Sequence, residues 1–173
     1  MTKNPLPSNN HAVSSALFRD ALTRFATGVT VVTAQHLKKP VGVTISSFAG
    51  VSLKPPLVLF CLDEKSSALP AFKKSAVFAV HVLADDQEPL AHVFARQGAK
   101  DWKKIRSKKH KSGPVILDGV MAVLLCRFSK KHKAGDHHII VGRVLEISIN
   151  AKKPRPLLHT QRHYWDLGAA KKK

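Results

Sequence analysis

Cysteine is scarce in this chain of 173 residues, which contains only two. Cys61 and Cys126 lie far apart, and neither belongs to a C-x-x-C pair or shows the spacing of a zinc site. So low a count also excludes a secreted scaffold stabilised by many disulfides. Both residues stand in apolar runs, so we interpret them as buried free thiols in a reducing compartment.

Long hydrophobic runs are missing as well. No stretch approaches the roughly 18 apolar residues of a membrane-spanning helix, and the first residues contain no apolar core of a signal peptide. The sequence has no P-loop, no G-x-G-x-x-G fingerprint and no Ser-His-Asp arrangement. These absences predict a soluble cytoplasmic protein without a Rossmann-type nucleotide site.

Acidic residues are few: 11 Asp and Glu stand against 29 Lys and Arg, which gives a formal charge of +18 and a pI near 10.3. The basic residues cluster at 101–113, 129–138, 150–156 and the C-terminus, in segments predicted as loops and a tail. Aromatic residues do not alternate with them as in a stacking platform for nucleic acid. We therefore expect a surface that attracts anions such as phosphorylated small molecules, and no specific nucleic-acid site.

The apolar pattern predicts a flexible leader over 1–14, one domain over 15–168 and a basic tail over 169–173. The segments predicted as strands are 29–34, 40–47, 55–62, 77–83, 115–128 and 137–149. Helical spacing occurs over 14–28 and 85–96, and a short helix or turn is expected over 66–75. The basic segment 97–114 is expected to be irregular and mobile. Many strands with few helices predict a mainly β fold, a closed antiparallel barrel with peripheral helices.

The segment PVGVTISS, residues 40–47, combines strand alternation with small polar side chains. Val41, Val43 and Ile45 are predicted to face the core, which leaves Gly42, Thr44 and Ser46 on the other face. Together with Ser47 at the strand end, these hydroxyls would form a neutral cradle for a phosphate and the polar edge of a heterocycle. The alternative is an ordinary solvent-facing strand surface.

Histidines are numerous, but their spacing does not predict a metal site. His137 and His138 are adjacent, so on a strand they point to opposite faces and cannot easily share one ion, with or without His132. His81 shares its face of a predicted strand with Ala79 and Leu83. We interpret it as a satisfied core histidine or an outward one rather than a functional residue.

Several separate motifs, in order from about Phe18 to Leu167, resemble the flavin reductase-like family, whose members are the small reductase components of two-component flavin monooxygenases. The motifs are FATGVTVVTA, PVGVTISSFAGVSLKPPLVLFCLDEKSS, FAVHVLADDQEPLAHVFA, SGPVILDGV and GDHHIIVGRV. The resemblance implies a homodimeric FMN-binding split barrel, with six antiparallel strands in Greek-key order. It also implies FMN or FAD near the subunit interface, NADH or NADPH as electron donor, and a partner monooxygenase.

The resemblance further implies which residues bind the flavin. The residues carried over for the ring and its phosphate are Pro40, Val41, Gly42, Val43, Thr44, Ser46, Ser47, Leu59, Phe60, Cys61, Lys65 and Ser66. The first seven line the flavin, the LFC motif (59–61) runs beside the ring, and Lys65 and Ser66 help to hold the phosphate end.

The GDH motif of Gly135, Asp136 and His137 is similar to the one linked in this family to nicotinamide binding. We expect His137 to position the nicotinamide, although a structural histidine satisfied by Asp136 is the alternative. The family often shows Tyr-Arg-Gly after PLL, where this chain has His159, Thr160 and Gln161. Arg162 and Tyr164 are candidates to replace the missing contacts.

Three functions follow as hypotheses. The first is an NAD(P)H:flavin oxidoreductase that supplies reduced flavin to a monooxygenase. The second is a reductase that keeps its flavin and passes electrons to a corrinoid, a metal centre or another protein. The third is a non-catalytic protein that binds flavin or nucleic acid.

Overall fold

The computed structural model describes residues 13–98, 100–152 and 155–168, and most of these residues belong to antiparallel sheets. The described strands are β1 Thr27–Gly28, β2 Thr30–His36, β3 Lys39–Ile45, β4 Ala49–Leu53, β5 Pro56–Asp63, β6 Val77–Val82, β7 Ser107–Lys109, β8 Val115–Leu117, β9 Ala122–Ala134, β10 His137–Ile149, β11 Leu158–Thr160 and β12 His163–Trp165. The helices are α1 Ser15–Thr23, α2 Leu69–Lys74 and α3 Glu88–Ala95.

Seven strands form the main sheet in the order β3-β2-β6-β9-β10-β5-β4. The two ends of this sheet approach each other at Ser47, which follows β3: its hydroxyl accepts the Cys61 N–H at 2.9 Å and donates to the Cys61 carbonyl at 3.3 Å. The mainly β barrel predicted from the sequence is confirmed. The main sheet has seven strands rather than six because the short β4 adds itself to the outer edge of β5.

The inner core fills the concave side of the sheet. Phe60, Phe72 and Phe78 pack edge to face, with ring centroids 5.5 to 6.3 Å apart, and α2 brings Phe72 to this cluster. Gly142 of β10 makes room for Phe78, since a Cβ at this position would lie 2.3 Å from the phenyl ring. The fully buried phenyl groups supply much of the driving force for closing the sheet.

A second apolar layer covers the outer side of β2 and β3. Phe94 of α3 lies over Gly42, where a Cβ would come within 2.4 Å of its ring. The Thr44 hydroxyl donates to the Ala91 carbonyl at 2.7 Å and so fixes α3 on β3. Strand β3 is therefore covered by the barrel interior on one face and by α3 on the other.

His81 lies in this second layer and is fully buried. Its Nδ1 is 2.9 Å from the Val31 carbonyl, which requires the proton on Nδ1. Burial lowers the pKa of His81 to about 4, so the ring is neutral at physiological pH. The outward orientation considered from the sequence is wrong, because the inward position satisfies Nδ1 and completes the packing.

Two sequence predictions need correction. The segment 97–114, expected to be irregular, contains a 3-10 turn at Trp102–Lys104 and the strand β7, which pairs with β8. The long strand expected over 115–128 is divided into β8 and β9, because Gly119 adopts a φ of +74° and turns the chain. Strand β9 then continues to Ala134, so β9 and β10 form a long hairpin.

The chain ends differ in what the structure describes. The predicted leader falls mostly on residues 1–12 and the basic tail on 169–173, and both lie outside the described residues. Ser14 caps α1 by accepting the Leu17 N–H at 3.2 Å. The apolar side of α1 is uncovered in the single chain, where Phe18 and Leu22 are each 56% exposed.

In the part of the chain described, no helix has the length and apolar character needed to span a membrane.

Candidate functional site

A trough of about 730 Å³ runs along the outer edge of β3. Strand β3 pairs with β2 on its other edge only, so backbone N–H and C=O groups along the trough have no partner strand among the described residues. The segments that line it are 36–37, 39–47, 61–63, 66–68, 94–98, Lys100, Trp102 and His137. Extended backbone rises about 3.3 Å per residue, so the seven residues of β3 give a wall roughly 23 Å long.

The β3 wall contains seven residues that the sequence assigned to the flavin, namely Pro40, Val41, Gly42, Val43, Thr44, Ser46 and Ser47. The predicted alternation is present, since Val41 and Val43 pack against the inner core. The opposite face is not an open hydroxyl surface, however, because Gly42 and Thr44 meet α3. The exposed polar groups of this wall are those of Lys39 at the start of the strand and of Ser46 and Ser47 just beyond its end.

The second wall comes from the end of α3 and the segment that follows it. Trp102 packs against Phe94 with ring centroids 5.4 Å apart, and both line the trough. Lys100 donates to the carbonyls of Arg96 and Gly98, the latter at 3.3 Å, and burial lowers the pKa of its ammonium group. The sequence pattern does not predict this wall. The signal it offers is a tryptophan among basic residues after a predicted helix, in a segment expected to be irregular.

Strand β5 contributes its last residues. Leu59 and Cys61 alternate with buried neighbours and point away from the inner core, and Cys61 lines the trough. Phe60 points inward and is fully buried. Contrary to the prediction, its side chain therefore does not run beside the trough. In the turn that follows, Ser66 lines the trough, whereas Lys65 is exposed and bonds Asp63 through its backbone N–H at 2.7 Å.

The GDH motif forms the tight turn between β9 and β10. Gly135 has a φ of +61°, a left-handed conformation that suits glycine. Asp136 Oδ1 lies 2.7 Å from His137 Nδ1, and the hydrogen bond from the imidazole holds the pKa of the Asp136 carboxyl below its usual value. The Glu64 N–H donates to the Asp136 carbonyl at 2.9 Å and ties this turn to the end of β5. His137 thereby lines the trough opposite Ser66 and Ser67.

The two replacement candidates near the C-terminus lie elsewhere. Arg162 is in the β11–β12 turn with a φ of +66°, and Tyr164 packs on His92 and His159 with centroids 5.0 and 5.2 Å apart. Neither is among the residues that line the trough in the described chain. Their contact with nicotinamide remains a prediction.

The residues present fit a flavin nucleotide. The trough has the volume of a typical cofactor site, with apolar walls and a few polar groups. The free backbone edge of β3 can pair with the polar edge of a heterocycle, while serines and two cationic side chains, Arg96 and Lys100, suit a phosphate. Among the described residues, no group of three His, Cys, Asp or Glu side chains is arranged to hold a metal ion.

Comparison with characterised proteins agrees with this geometry. The chain is 46% identical to the FMN reductase (NADH) SmoA of Agrobacterium fabrum over 136 residues, which cover 76% of this chain and 75% of that protein. It is 37% identical over 148 residues to HsaB, the reductase subunit of a flavin-dependent monooxygenase of Mycobacterium tuberculosis, covering 85% of this chain and 79% of HsaB.

Solved structures give the same result. The NADH:FAD oxidoreductase SgcE6 of Streptomyces globisporus, crystallised with NAD and FAD fragments, superposes with a TM-score of 0.84 at 30% identity, covering 88% of this chain and 92% of that one. The family described as "Flavin reductase like domain" matches residues 22–168. The chain therefore belongs to the flavin reductase-like domain family.

Proposed function

We propose that this chain is an NAD(P)H:flavin oxidoreductase that supplies reduced FMN or FAD to a separate flavin-dependent monooxygenase, with residues 15–168 as its working unit. The observation that carries the proposal is that His137 of the GDH turn lines the same trough as the free edge of β3. A site for nicotinamide and a site for flavin thereby share one cavity. The names of the relatives, an FMN reductase (NADH) and monooxygenase reductase subunits, support the same activity.

The flavin would lie along β3. The backbone edge from Pro40 to Thr44 would meet the heterocycle, and Ser46, Ser47 and Ser66 would hold the phosphate end together with Arg96 and Lys100. When bound, the flavin supplies the hydride and electron chemistry. The protein's own residues bind and orient the flavin and the nicotinamide, and they exclude water.

His137 would orient the nicotinamide. Its Nδ1–H donates to Asp136, which fixes the ring and leaves Nε2 free for the ligand. Because Asp136 is itself held by the Glu64 backbone, the imidazole is kept in a fixed position. We assign His137 to binding and positioning rather than to proton transfer.

The open trough favours exchange of flavin over permanent retention. Ser46, Ser47 and Arg96 line the trough and are exposed in the single chain, so ligand can enter and leave along β3. This favours delivery of reduced flavin to a partner over the alternative in which a retained flavin reduces a corrinoid, a metal centre or a protein.

We infer that two copies associate. Exposed apolar side chains lie on the two strands that flank β5: Leu53 of β4 is 90% exposed, and Ile147 of β10 is 62% exposed. A second copy covering them would remove this apolar surface from water. Sedimentation velocity should give twice the chain mass of 19.0 kDa, and a monomer at micromolar concentration would contradict the inference.

We also place the protein in the cytoplasm. The two cysteines are free and lie on different strands, and burial raises the pKa of the Cys126 thiol to about 12, which keeps it unreactive. Free thiols suit a reducing compartment. Fractionation of cells that express the protein checks this assignment.

Turnover with free flavin tests the proposed function. A reductase that exchanges its product should oxidise NADH at a rate that rises with added free flavin and reaches half its maximum at the flavin Michaelis constant. A reductase that retains its flavin should instead show activity independent of added free flavin and dependent on an added acceptor. The absence of NADH and NADPH oxidation under both conditions would refute both enzyme assignments.

Replacing His137 separates binding from chemistry. His137→Ala should lower the efficiency of NAD(P)H oxidation about 10- to 100-fold, because roughly 1.4–2.7 kcal/mol of nicotinamide positioning is lost. Flavin affinity should change little, since the proposed flavin contacts lie on β3 and the other walls. Stopped-flow reduction of the flavin-loaded variant gives the rate, and fluorescence titration gives the affinity.

The matched control is His132→Ala, which removes an exposed imidazole from the same hairpin without touching the trough. This variant should behave as wild type. An unchanged reduction rate in His137→Ala would show that His137 is a structural histidine. Loss of flavin binding in this variant would show that His137 contacts the flavin rather than the nicotinamide.

A further inference from the structure

His138, the neighbour of His137, is buried and unsatisfied. Its side chain is only 6% exposed, and neither ring nitrogen has a hydrogen-bond partner among the described residues. A neutral imidazole always carries one N–H donor, and an orphaned buried donor costs free energy. The nearest charged oxygen, Glu64 Oε1, is 3.9 Å away, too far for a hydrogen bond.

The register of the β9–β10 hairpin brings lysines to the same face as His138. Lys133 lies directly opposite His138, and Lys131 lies opposite Ile140, the next inward residue of β10. On the other side of the histidine stands Leu62 of β5. His138 therefore lies on the inward face of the hairpin, beneath the exposed lysines of β9, and we call this group the His138 cluster.

A third lysine comes from α2, which caps the same end of the barrel. Burial, followed by Lys73 and Lys131, holds the pKa of His138 below its ordinary value, so both ammonium groups are within electrostatic reach of the ring. Lys133 is already paired, because its Nζ lies 3.1 Å from Glu64 Oε1. The ammonium groups of Lys73 and Lys131 thus lie near the imidazole N–H of His138. The nearby carboxylate of Glu64 is already paired with Lys133.

We propose that His138, Lys73 and Lys131 form a binding site for an oxyanion of the phosphate class, separate from the trough. An oxyanion accepts hydrogen bonds from ammonium groups and from the imidazole N–H, so it satisfies the orphaned donor and offsets the repulsion between the lysines. Glu64 is two residues from Ser66, which lines the trough, so the His138 cluster and the trough both adjoin the turn after β5. The phosphate can belong to a nucleotide or be free inorganic phosphate.

The test follows the imidazole signals of His138 by NMR during addition of inorganic phosphate at constant ionic strength. We expect a saturable shift and a rise in the pKa of His138, because a bound anion stabilises the imidazolium. Lys131→Gln should weaken phosphate binding about fivefold. Lys130→Gln is the matched control: it removes the same charge from the same strand, but it lies opposite Val141 on the other face and should leave binding unchanged.

Two further titrations identify the source of the phosphate. If a nucleotide supplies it, FMN should shift the His138 signals more than riboflavin, or NADPH more than NADH, and inorganic phosphate should compete. If only inorganic phosphate shifts them, the His138 cluster binds the free anion.

The proposal is overturned if no ligand gives a saturable shift, or if Lys130→Gln weakens binding as much as Lys131→Gln, since the anion would then respond to net charge alone. These readouts need no turnover, so their failure is distinguishable from failure of the reductase assignment.

Discussion

The structure depends on how the barrel is closed at β3. Strand β3 pairs with β2 on one edge. In the part of the chain that the structure describes, the hydrogen bonds that join its end to β5 come from one side chain, the Ser47 hydroxyl, which is bound to both backbone groups of Cys61. A continuous ladder of hydrogen bonds would have sealed the edge. One hydroxyl brings the sheet ends together yet leaves the β3 backbone free to line the trough.

Close packing fixes the walls of this opening. Gly142 admits Phe78 into the inner core, and Gly42 admits Phe94 from the opposite side, so both faces near β3 are filled without moving its backbone. The hydrogen bond from Thr44 to α3 secures the helix whose end forms the second wall. The Asp136–His137 pair is held separately, through the Glu64 backbone. Of this pair, His137 lines the trough.

Much of this arrangement could be predicted from the sequence, and the rest shows what periodicity does not contain. The bounds of β10 and the Ser14 cap follow from local patterns, and the barrel follows from many short strands. Alternation along β3 gave the correct faces, but it could not reveal that α3 covers Gly42 and Thr44, because that contact spans about fifty residues. Trp102 is only eight residues from Phe94, but periodicity does not predict its position either, since a basic loop becomes a wall only when tertiary packing brings it to Phe94.

The central claim is that flavin binds between the β3 edge and the Trp102 wall, and intrinsic fluorescence tests it directly. The chain has two tryptophans: Trp102 lines the trough, and Trp165 is 51% exposed and lies outside it. Flavin added to a Trp165→Phe variant should quench the remaining emission saturably, with the affinity of the wild type. If flavin binds but leaves the Trp102 emission of the Trp165→Phe variant unchanged, and quenches only the Trp165 emission of a Trp102→Phe variant, the flavin does not occupy the trough.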